Sequence, residues 1–323
     1  MTEPVTTLKR TSSEISFVTM TIGDMDVADG NQMVTRLPDP PKPPKNDLLL
    51  DCKDDEESRT PLSYAAELGH YDVAKLLLET GNVDINAQDK NGKTPLIWAV
   101  KRGHGELVQL FLAMKNVDIE LADTYYGQSP LSWACEYGRE DVVRLLLATG
   151  EVDIHSTDIK SRTPFLWACM EGHKDVAKLL LEAREPDINH KDSQHYQSPL
   201  SWAAENDHRD VVELLLQTGK ADINSKDERG RTPLWWAVER GRTAMVEILL
   251  KVDGIDVDAK DTEDDETTLL SAAKNGHTDI VRLLLDTNRV DINAKKVRGN
   301  TALLYAAKAG NSSIVELLLR HSN

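Results

Sequence analysis

The sequence predicts an all-α solenoid, in which pairs of short helices stack into one elongated array. A tripeptide of the form Thr/Ser-Pro-Leu recurs at intervals of 34 or 35 residues, and each copy is followed by the same order of small, glycine and leucine-rich positions. A fixed period of this length indicates a repeat architecture, because units this small bury their apolar faces only against their neighbours. We count about eight units, opened by Thr60, Thr94, Ser129, Thr163, Ser198, Thr232, Thr267 and Thr301.

The first helix of each unit begins directly after this Thr or Ser. In the sixth unit, Thr232 is placed to cap the helix, and Pro233 occupies the first helical position, where its missing N–H costs nothing. Two small residues follow, such as Ala65 and Ala66, so neighbouring helices can approach closely. A glycine then ends the helix in most units: Gly69, Gly103, Gly138, Gly172, Gly241, Gly276 and Gly310.

The second helix of each unit carries an apolar stripe at i, i+3 and i+4, as in Val73, Leu76 and Leu77. A turn containing Gly or Asn leads into a Val-Asp-Ile-Asn segment, residues 83–86 in the first unit, and a polar turn then closes the unit. The same order recurs along the chain, so we expect the same backbone in every unit.

Three units depart from the pattern. Thr268 and Ala302 stand where Pro is usual in units seven and eight. In unit five, Tyr196 and Asp207 stand where Gly is usual. Since glycine supplies the left-handed backbone that other residues avoid, we expect unit five to be locally distorted.

These residues resemble the ankyrin repeat, whose signature is Thr-Pro-Leu, two alanines, Gly-His and a Leu-rich second helix. The added residues around Val-Asp-Ile-Asn are similar to a variant common in filamentous fungi. The resemblance implies an L-shaped helix pair with a β-turn finger per repeat, and a concave groove along the inner helices. We place the array at 47–323, with repeats at about 51–84, 85–118, 119–153, 154–187, 188–222, 223–256, 257–291 and 292–323.

The chain is acidic, since 54 Asp and Glu against 38 Lys and Arg give a formal net charge of −16. Such a surface does not favour a phosphate backbone, so we expect no nucleic-acid binding, whereas a basic protein would complement it. The N-terminus lacks the apolar core of a signal peptide, and no apolar run approaches the roughly 18 residues of a transmembrane helix. We expect a soluble protein of the cytoplasm, with the nucleus as a second compartment, and no membrane binding.

No group of residues predicts catalysis, a cofactor or a metal site. Cys52, Cys135 and Cys169 lack metal-type spacing, and the last two occupy small-residue positions of the first helix. Histidines such as His104 and His173 recur once per repeat, which predicts a hydrogen-bonding role at the second helix. We therefore predict that the protein is not an enzyme, needs no cofactor or metal, and forms a monomeric array.

An aromatic residue recurs on the first helix, two positions after the third residue of the tripeptide, in every unit except the seventh, which has Ser271. One hypothesis is that these rings grip an extended peptide or a partner helix, because Trp and Tyr are favoured interface anchors. The alternative is that each ring packs against the inner helix of the next repeat. The series is Tyr64, Trp98, Trp133, Trp167, Trp202, Trp236 and Tyr305, and residues four positions later, including Arg102, Tyr137 and Arg240, share its face.

The finger tips are the second candidate surface, because they differ more between repeats than the helices do. Tyr125, Tyr126 and Ile159 are the most informative, since exposed apolar residues at these tips are not needed for folding. Neutral drift at solvated turns would produce the same variation. Both surfaces therefore enter the prediction as partner-binding candidates.

Residues 1–46 lie outside the repeats. They are rich in Ser, Thr and Asp and end in the Pro-rich stretch 37–45, which predicts a disordered tail with a stiff linker. Within the tail, residues 15–23 are β-prone and uncharged, and they faintly resemble the amyloid-signalling motifs found near fungal immune receptors of the NLR type. The alternative is a disordered tail with a few apolar residues.

Together these features predict a protein–protein interaction module, namely a scaffold, adaptor or regulator that binds a partner through the concave groove and the finger tips. A first alternative is a signalling or incompatibility component with a self-assembling tail. A second is a co-regulator of a pathway or of transcription, for which the sequence offers no DNA-binding or ligase-recruiting motif.

Overall fold

The computed structural model describes residues 49–322, which fold into eight successive helix pairs. No strand occurs within this range, where a single isolated bridge joins Lys260 and Thr267. The prediction of an all-α ankyrin-type solenoid is confirmed. The helices are α1 Pro61–Leu68, α2 Tyr71–Glu79, α3 Pro95–Arg102, α4 Gly105–Leu112, α5 Pro130–Glu136, α6 Glu140–Ala148, α7 Pro164–Met170, α8 Lys174–Ala183, α9 Pro199–Glu205, α10 Arg209–Gln217, α11 Pro233–Glu239, α12 Thr243–Leu250, α13 Thr268–Asn275, α14 Thr278–Asp286, α15 Ala302–Lys308 and α16 Ser312–His321.

Each odd-numbered helix begins at a hydroxyl cap. The Oγ1 of Thr94, for example, accepts the backbone N–H of Ile97 at 3.2 Å. Thr267 and Thr301 cap their helices in the same way, although no proline follows either of them. The substitutions at positions 268 and 302 therefore leave the helix starts intact, because the capping side chain supplies the missing acceptor.

Unit five is not distorted, and the expectation from Tyr196 and Asp207 is wrong. Both residues adopt the left-handed backbone themselves, with φ of 59° and 64°. Helices α9 and α10 have 7 and 9 residues, the same lengths as α5 and α6. Asp is among the residues that tolerate this region, and the Asp207 carboxylate also accepts two hydrogen bonds from Arg209, at 3.1 and 2.8 Å.

The core runs the length of the array because equivalent helices of successive repeats pack on each other. Each odd-numbered inner helix packs against the next odd-numbered helix, and the even-numbered outer helices do the same. The small residues predicted to allow close approach, such as Ala99, Ala134 and Ala168, are fully buried at these contacts. Each repeat thus completes its core with its neighbours, as expected for a solenoid.

Histidines tie successive repeats together, and their predicted hydrogen-bonding role is confirmed. The Nε2 of His173 lies 3.0 Å from the backbone carbonyl of Glu136 in the preceding repeat. The helix-ending Gly138 makes room for this ring, since a Cβ there would lie 2.5 Å from its Nδ1 atom. Equivalent contacts join His104 to Glu67, His208 to Met170 and His277 to Glu239.

Candidate protein-binding surface

Seven of the eight fingers are organised around one aspartate, which is buried in six of them. In the third repeat, Asp123 Oδ1 accepts the backbone N–H groups of Tyr125 at 3.0 Å and Tyr126 at 2.7 Å, while Oδ2 accepts that of Gln128 at 3.1 Å. A carboxylate that satisfies several backbone donors fixes the turn. The corresponding residues are Asp54, Asp89, Asp158, Asp192, Asp227 and Asp261.

The aromatic series braces these fingers against the inner helices. The indole N–H of Trp133 donates to Asp123 Oδ2 at 3.0 Å, and that of Trp98 donates to Asp89 Oδ2 at 3.1 Å. Each of these rings is therefore bonded to the finger of its own repeat. The same contact joins Tyr64 to Asp54, Trp202 to Asp192 and Trp236 to Asp227.

In the aromatic series, Tyr305 makes no such bond because its finger has Lys296 in place of the aspartate, and neither does Trp167. Its buried indole N–H has no hydrogen-bond partner. In this repeat the Arg162 Nε donates to the finger carboxylate of Asp158 at 2.8 Å, and the guanidinium lies 3.9 Å above the Trp167 ring centre. Arginine therefore replaces indole as the brace in repeat four.

Exposure divides the aromatic series into two groups. Trp98, Trp133 and Trp167 are buried, whereas Trp202 and Trp236 are half-buried and Tyr64 is exposed. The three buried rings offer little area to a partner in this conformation. Trp98 and Trp133 support the fingers of their own repeats through the hydrogen bonds to Asp89 and Asp123.

The fingers form a continuous row, because a backbone hydrogen bond joins each finger to the next. Ile159 N donates to Tyr126 O at 3.0 Å, and Thr124 N donates to Asn91 O at 2.9 Å. The remaining pairs are Lys90 with Glu57, Ser193 with Lys160, Glu228 with His195, Thr262 with Arg229 and Val297 with Asp264. Side chains of adjacent tips are thereby held next to each other.

Repeats three and four present an exposed apolar patch, which we call the tip patch and define as Tyr125, Tyr126 and Ile159. Tyr125 and Ile159 are 61% and 65% exposed, and the two tyrosine rings meet edge to face with centres 4.6 Å apart. The aromatic contacts continue inward from Tyr126 to Trp133 at 6.0 Å and from Trp133 to Tyr137 at 5.8 Å. Tyr125, Tyr126, Trp133 and Tyr137 thus form one connected row of rings, whereas the buried Trp167 makes no ring contact with it.

The two predicted arginines lie elsewhere and are paired with carboxylates. Arg102 forms an ion pair with Glu67 at 2.5 Å, and Arg240 forms one with Glu205 at 2.6 Å. In each case the carboxylate belongs to the preceding repeat. These arginines therefore link neighbouring repeats, and their charge is already compensated.

The described residues offer no cluster suited to chemistry. Among residues 49–322, no three His, Cys, Asp or Glu side chains converge in a way that would hold a metal ion. Cys135 and Cys169 are fully buried, and burial raises the pKa of both thiols, which suppresses the reactive thiolate. Within the same range, none of the helices has the length and hydropathy needed to span a bilayer.

Comparison with known proteins agrees with this architecture. The crystal structure of the ankyrin repeat domain of Bcl-3, described as a unique member of the IkappaB protein family, matches with a TM-score of 0.59 and 28% sequence identity, covering 71% of this chain and 100% of that chain. Among curated proteins, no sequence matches this one. A family model described as ankyrin repeats (3 copies) matches residues 32–89, 44–123, 81–158, 101–192, 147–227, 166–261 and 255–323.

The chain therefore belongs to the ankyrin-repeat family. Ankyrin repeats are a general protein–protein interaction module, and their fold is a non-catalytic scaffold. A protein partner follows from this membership, whereas the surface that binds it has to be argued from the side chains of this chain.

Proposed function

We propose that the array at 47–323 is a non-catalytic docking platform that binds a protein partner through the fingers and the adjoining groove of repeats three and four. One observation carries the proposal. The tip patch exposes three apolar side chains on adjacent fingers, and none of them is needed to complete the core. Exposed apolar side chains that lie together are typical of interaction sites.

The rigidity of the patch supports the same conclusion. The backbone of the third finger is held by the Asp123 carboxylate, which Trp133 braces in turn. The fourth finger is joined to it through the hydrogen bond from Ile159 to Tyr126. A preorganised aromatic surface loses little conformational entropy on binding, so the area that each tip-patch ring buries against a partner contributes more to affinity.

A test of the proposal combines substitution at the patch with a matched control. We expect the triple variant Tyr125→Ser, Tyr126→Ser, Ile159→Ser to weaken the binding of a purified protein partner at least tenfold, because aromatic anchors contribute roughly 1–2 kcal/mol or more each. The control variant Tyr196→Ser, Val297→Ser removes exposed apolar residues from the fifth and eighth fingers. Isothermal titration measures both, and circular dichroism melts verify that both fold.

Equal affinities for the triple variant and the wild type would refute the assignment to the tip patch. Loss of affinity in the control alone would move the binding surface to the later fingers. Turnover of a small molecule by the purified chain would contradict the non-catalytic part of the proposal.

The regulator form of this function has specific support. The Bcl-3 ankyrin domain, from a protein described as a member of the IkappaB family, matches over its whole length. We therefore propose a regulatory docking role ahead of a passive scaffold, in the cytoplasm or nucleus and as a monomeric array. The alternative of a self-assembling tail concerns residues 15–23, which lie outside the described residues.

A further inference from the structure

Two positions with a fixed spacing recur in every repeat. The first immediately precedes the capping Thr or Ser, and the second lies eight residues later near the end of the inner helix. In five repeats the two side chains are complementary and bond to each other, as when Gln197 Nε2 donates to Glu205 at 2.8 Å. The other four bonded pairs are Arg59 with Glu67, Gln128 with Glu136, Glu266 with Lys274 and Asn300 with Lys308.

Repeats four and six lack this bond, because their first position is an arginine that bonds to the finger aspartate instead. Repeat two is the one repeat of the eight that places two like charges at the pair, with a lysine at both positions. Lys93 precedes the cap of α3, and Lys101 lies in its last turn. Neither ammonium group makes a hydrogen bond or an ion pair with any part of the chain between residues 49 and 322. Lys93 is nevertheless only 6% exposed, which is unusual for a lysine without a carboxylate partner.

Aromatic rings surround both ammonium groups. The Nζ of Lys93 lies 5.3 Å from the ring centre of Trp133 and 6.0 Å from that of Tyr126. The Nζ of Lys101 lies 4.5 Å from the Trp133 ring and 5.1 Å from that of Tyr137. Both cations therefore border the same indole, at the inner end of the row of rings that begins at the tip patch.

The charges of this pair are poorly compensated. Burial lowers the pKa of Lys93 and of Lys101, and the positive charge of Lys101 also acts on Lys93 in the same direction. The carboxylates of Asp89 and Asp123 act in the opposite direction on Lys93, and that of Glu136 does so on Lys101. All three already accept hydrogen bonds, the first two from the finger turns and the third from Gln128. A bound anion would supply the missing counter-charge.

We propose that Lys93 and Lys101 form a subsite for an acidic side chain of the protein partner, with the carboxylate of a Glu or Asp bound to Lys101 and the charge of Lys93 behind it. The subsite rests on the proposed function, since it lies beside the tip patch. The partner segment would place apolar residues on Tyr125 and Ile159 and its acidic residue at the lysine pair. The net charge of −16 repels an acidic segment from the rest of the surface, so such a segment would be held only where positive charge is locally uncompensated, as at this lysine pair.

The experiment uses random peptides displayed on phage, selected against the full chain, with affinities of the synthesised peptides measured by fluorescence anisotropy. We expect the selected peptides to be enriched in Glu and Asp beside aromatic or aliphatic residues. Lys101→Met should weaken their binding about tenfold or more, as should replacement of the peptide Glu by Gln. Lys308→Met, at the equivalent position of repeat eight, is the matched control and should leave the affinity unchanged.

A second variant separates a binding role from a structural one. Lys101→Glu creates next to Lys93 the complementary pair found in other repeats, so it should raise the melting temperature while it abolishes peptide binding. A structural role for the two lysines would instead lower the melting temperature. Retained binding by Lys101→Glu would overturn the proposal.

The remaining outcomes are also decisive. Selected peptides without acidic residues, bound equally by wild type and Lys101→Met, would overturn the subsite and leave the docking function in place. Failure to select any peptide, together with an unchanged affinity of the tip-patch variant for a protein partner, would overturn both the subsite and the docking function. A peptide that binds only with phosphoserine in place of its Glu would refute the assignment to a carboxylate.

Discussion

Replacing Trp133 with Phe tests the brace between the aromatic series and the fingers. The substitution removes the indole N–H that donates to Asp123 at 3.0 Å and leaves a buried carboxylate with one donor fewer. A hydrogen bond to a charged acceptor contributes about 1.5–3 kcal/mol to stability. The smaller ring also costs packing, so the total loss alone does not isolate the hydrogen bond.

Trp167→Phe is the matched control, because its indole is also buried but has no hydrogen-bond partner. The packing cost is shared by the two variants, whereas the hydrogen bond is lost only from position 133. We therefore expect Trp133→Phe to destabilise the protein by about 1.5–3 kcal/mol more than Trp167→Phe.

Urea denaturation of both variants measures this difference, and native-state amide exchange locates it. Since repeat arrays open locally, the amides of Tyr125, Tyr126 and Gln128, which donate to Asp123, should lose protection first in Trp133→Phe. Equal destabilisation by the two variants, or unchanged exchange at these three amides, would refute the brace.

Three further predictions concern the contacts between repeats and the buried thiols. Gly138→Ala should destabilise the protein by more than the ~1–2 kcal/mol that a left-handed alanine costs, because its Cβ would meet the His173 ring. Gly150→Ala is the control: its Cβ would have nothing within 4 Å, so thermal melts should show only the backbone cost. His173→Ala should lower the unfolding free energy by about 0.5–1.5 kcal/mol in urea titrations, one hydrogen bond's contribution. A thiol reagent should modify only Cys52 in the native protein and all three cysteines in denaturant, and rapid native modification of the other two would contradict their burial.

The fold was predictable because its signals are local and repeated. A capping hydroxyl such as Thr94, the proline after it and the glycine at the helix end each act within a few residues, and their recurrence outweighs any single departure. Thr268 and Ala302 confirm this, since their helices start at the predicted place without proline. Unit five misled the prediction because side chains such as Asp207 can occupy the glycine conformation.

The role of the aromatic series was harder to predict. Periodicity shows that Trp133 and its equivalents recur, but it does not show which neighbour each ring meets. The finger aspartates recur with the same spacing, ten residues before the ring in repeat three, and a comparison of the two series would have indicated their pairing.

The lysine pair could not be recognised without the structure, because two lysines eight residues apart are unremarkable in a sequence. They become informative only when the residues at the same two positions are seen to bond to each other in five other repeats, for instance Gln197 and Glu205. In a repeat protein, features shared by every unit serve the stacking that every unit needs. A feature found in one unit alone, which costs free energy through burial and charge repulsion, is not explained by stacking. Specificity for a partner is therefore to be sought where Lys93 and Lys101 place two like charges at the pair.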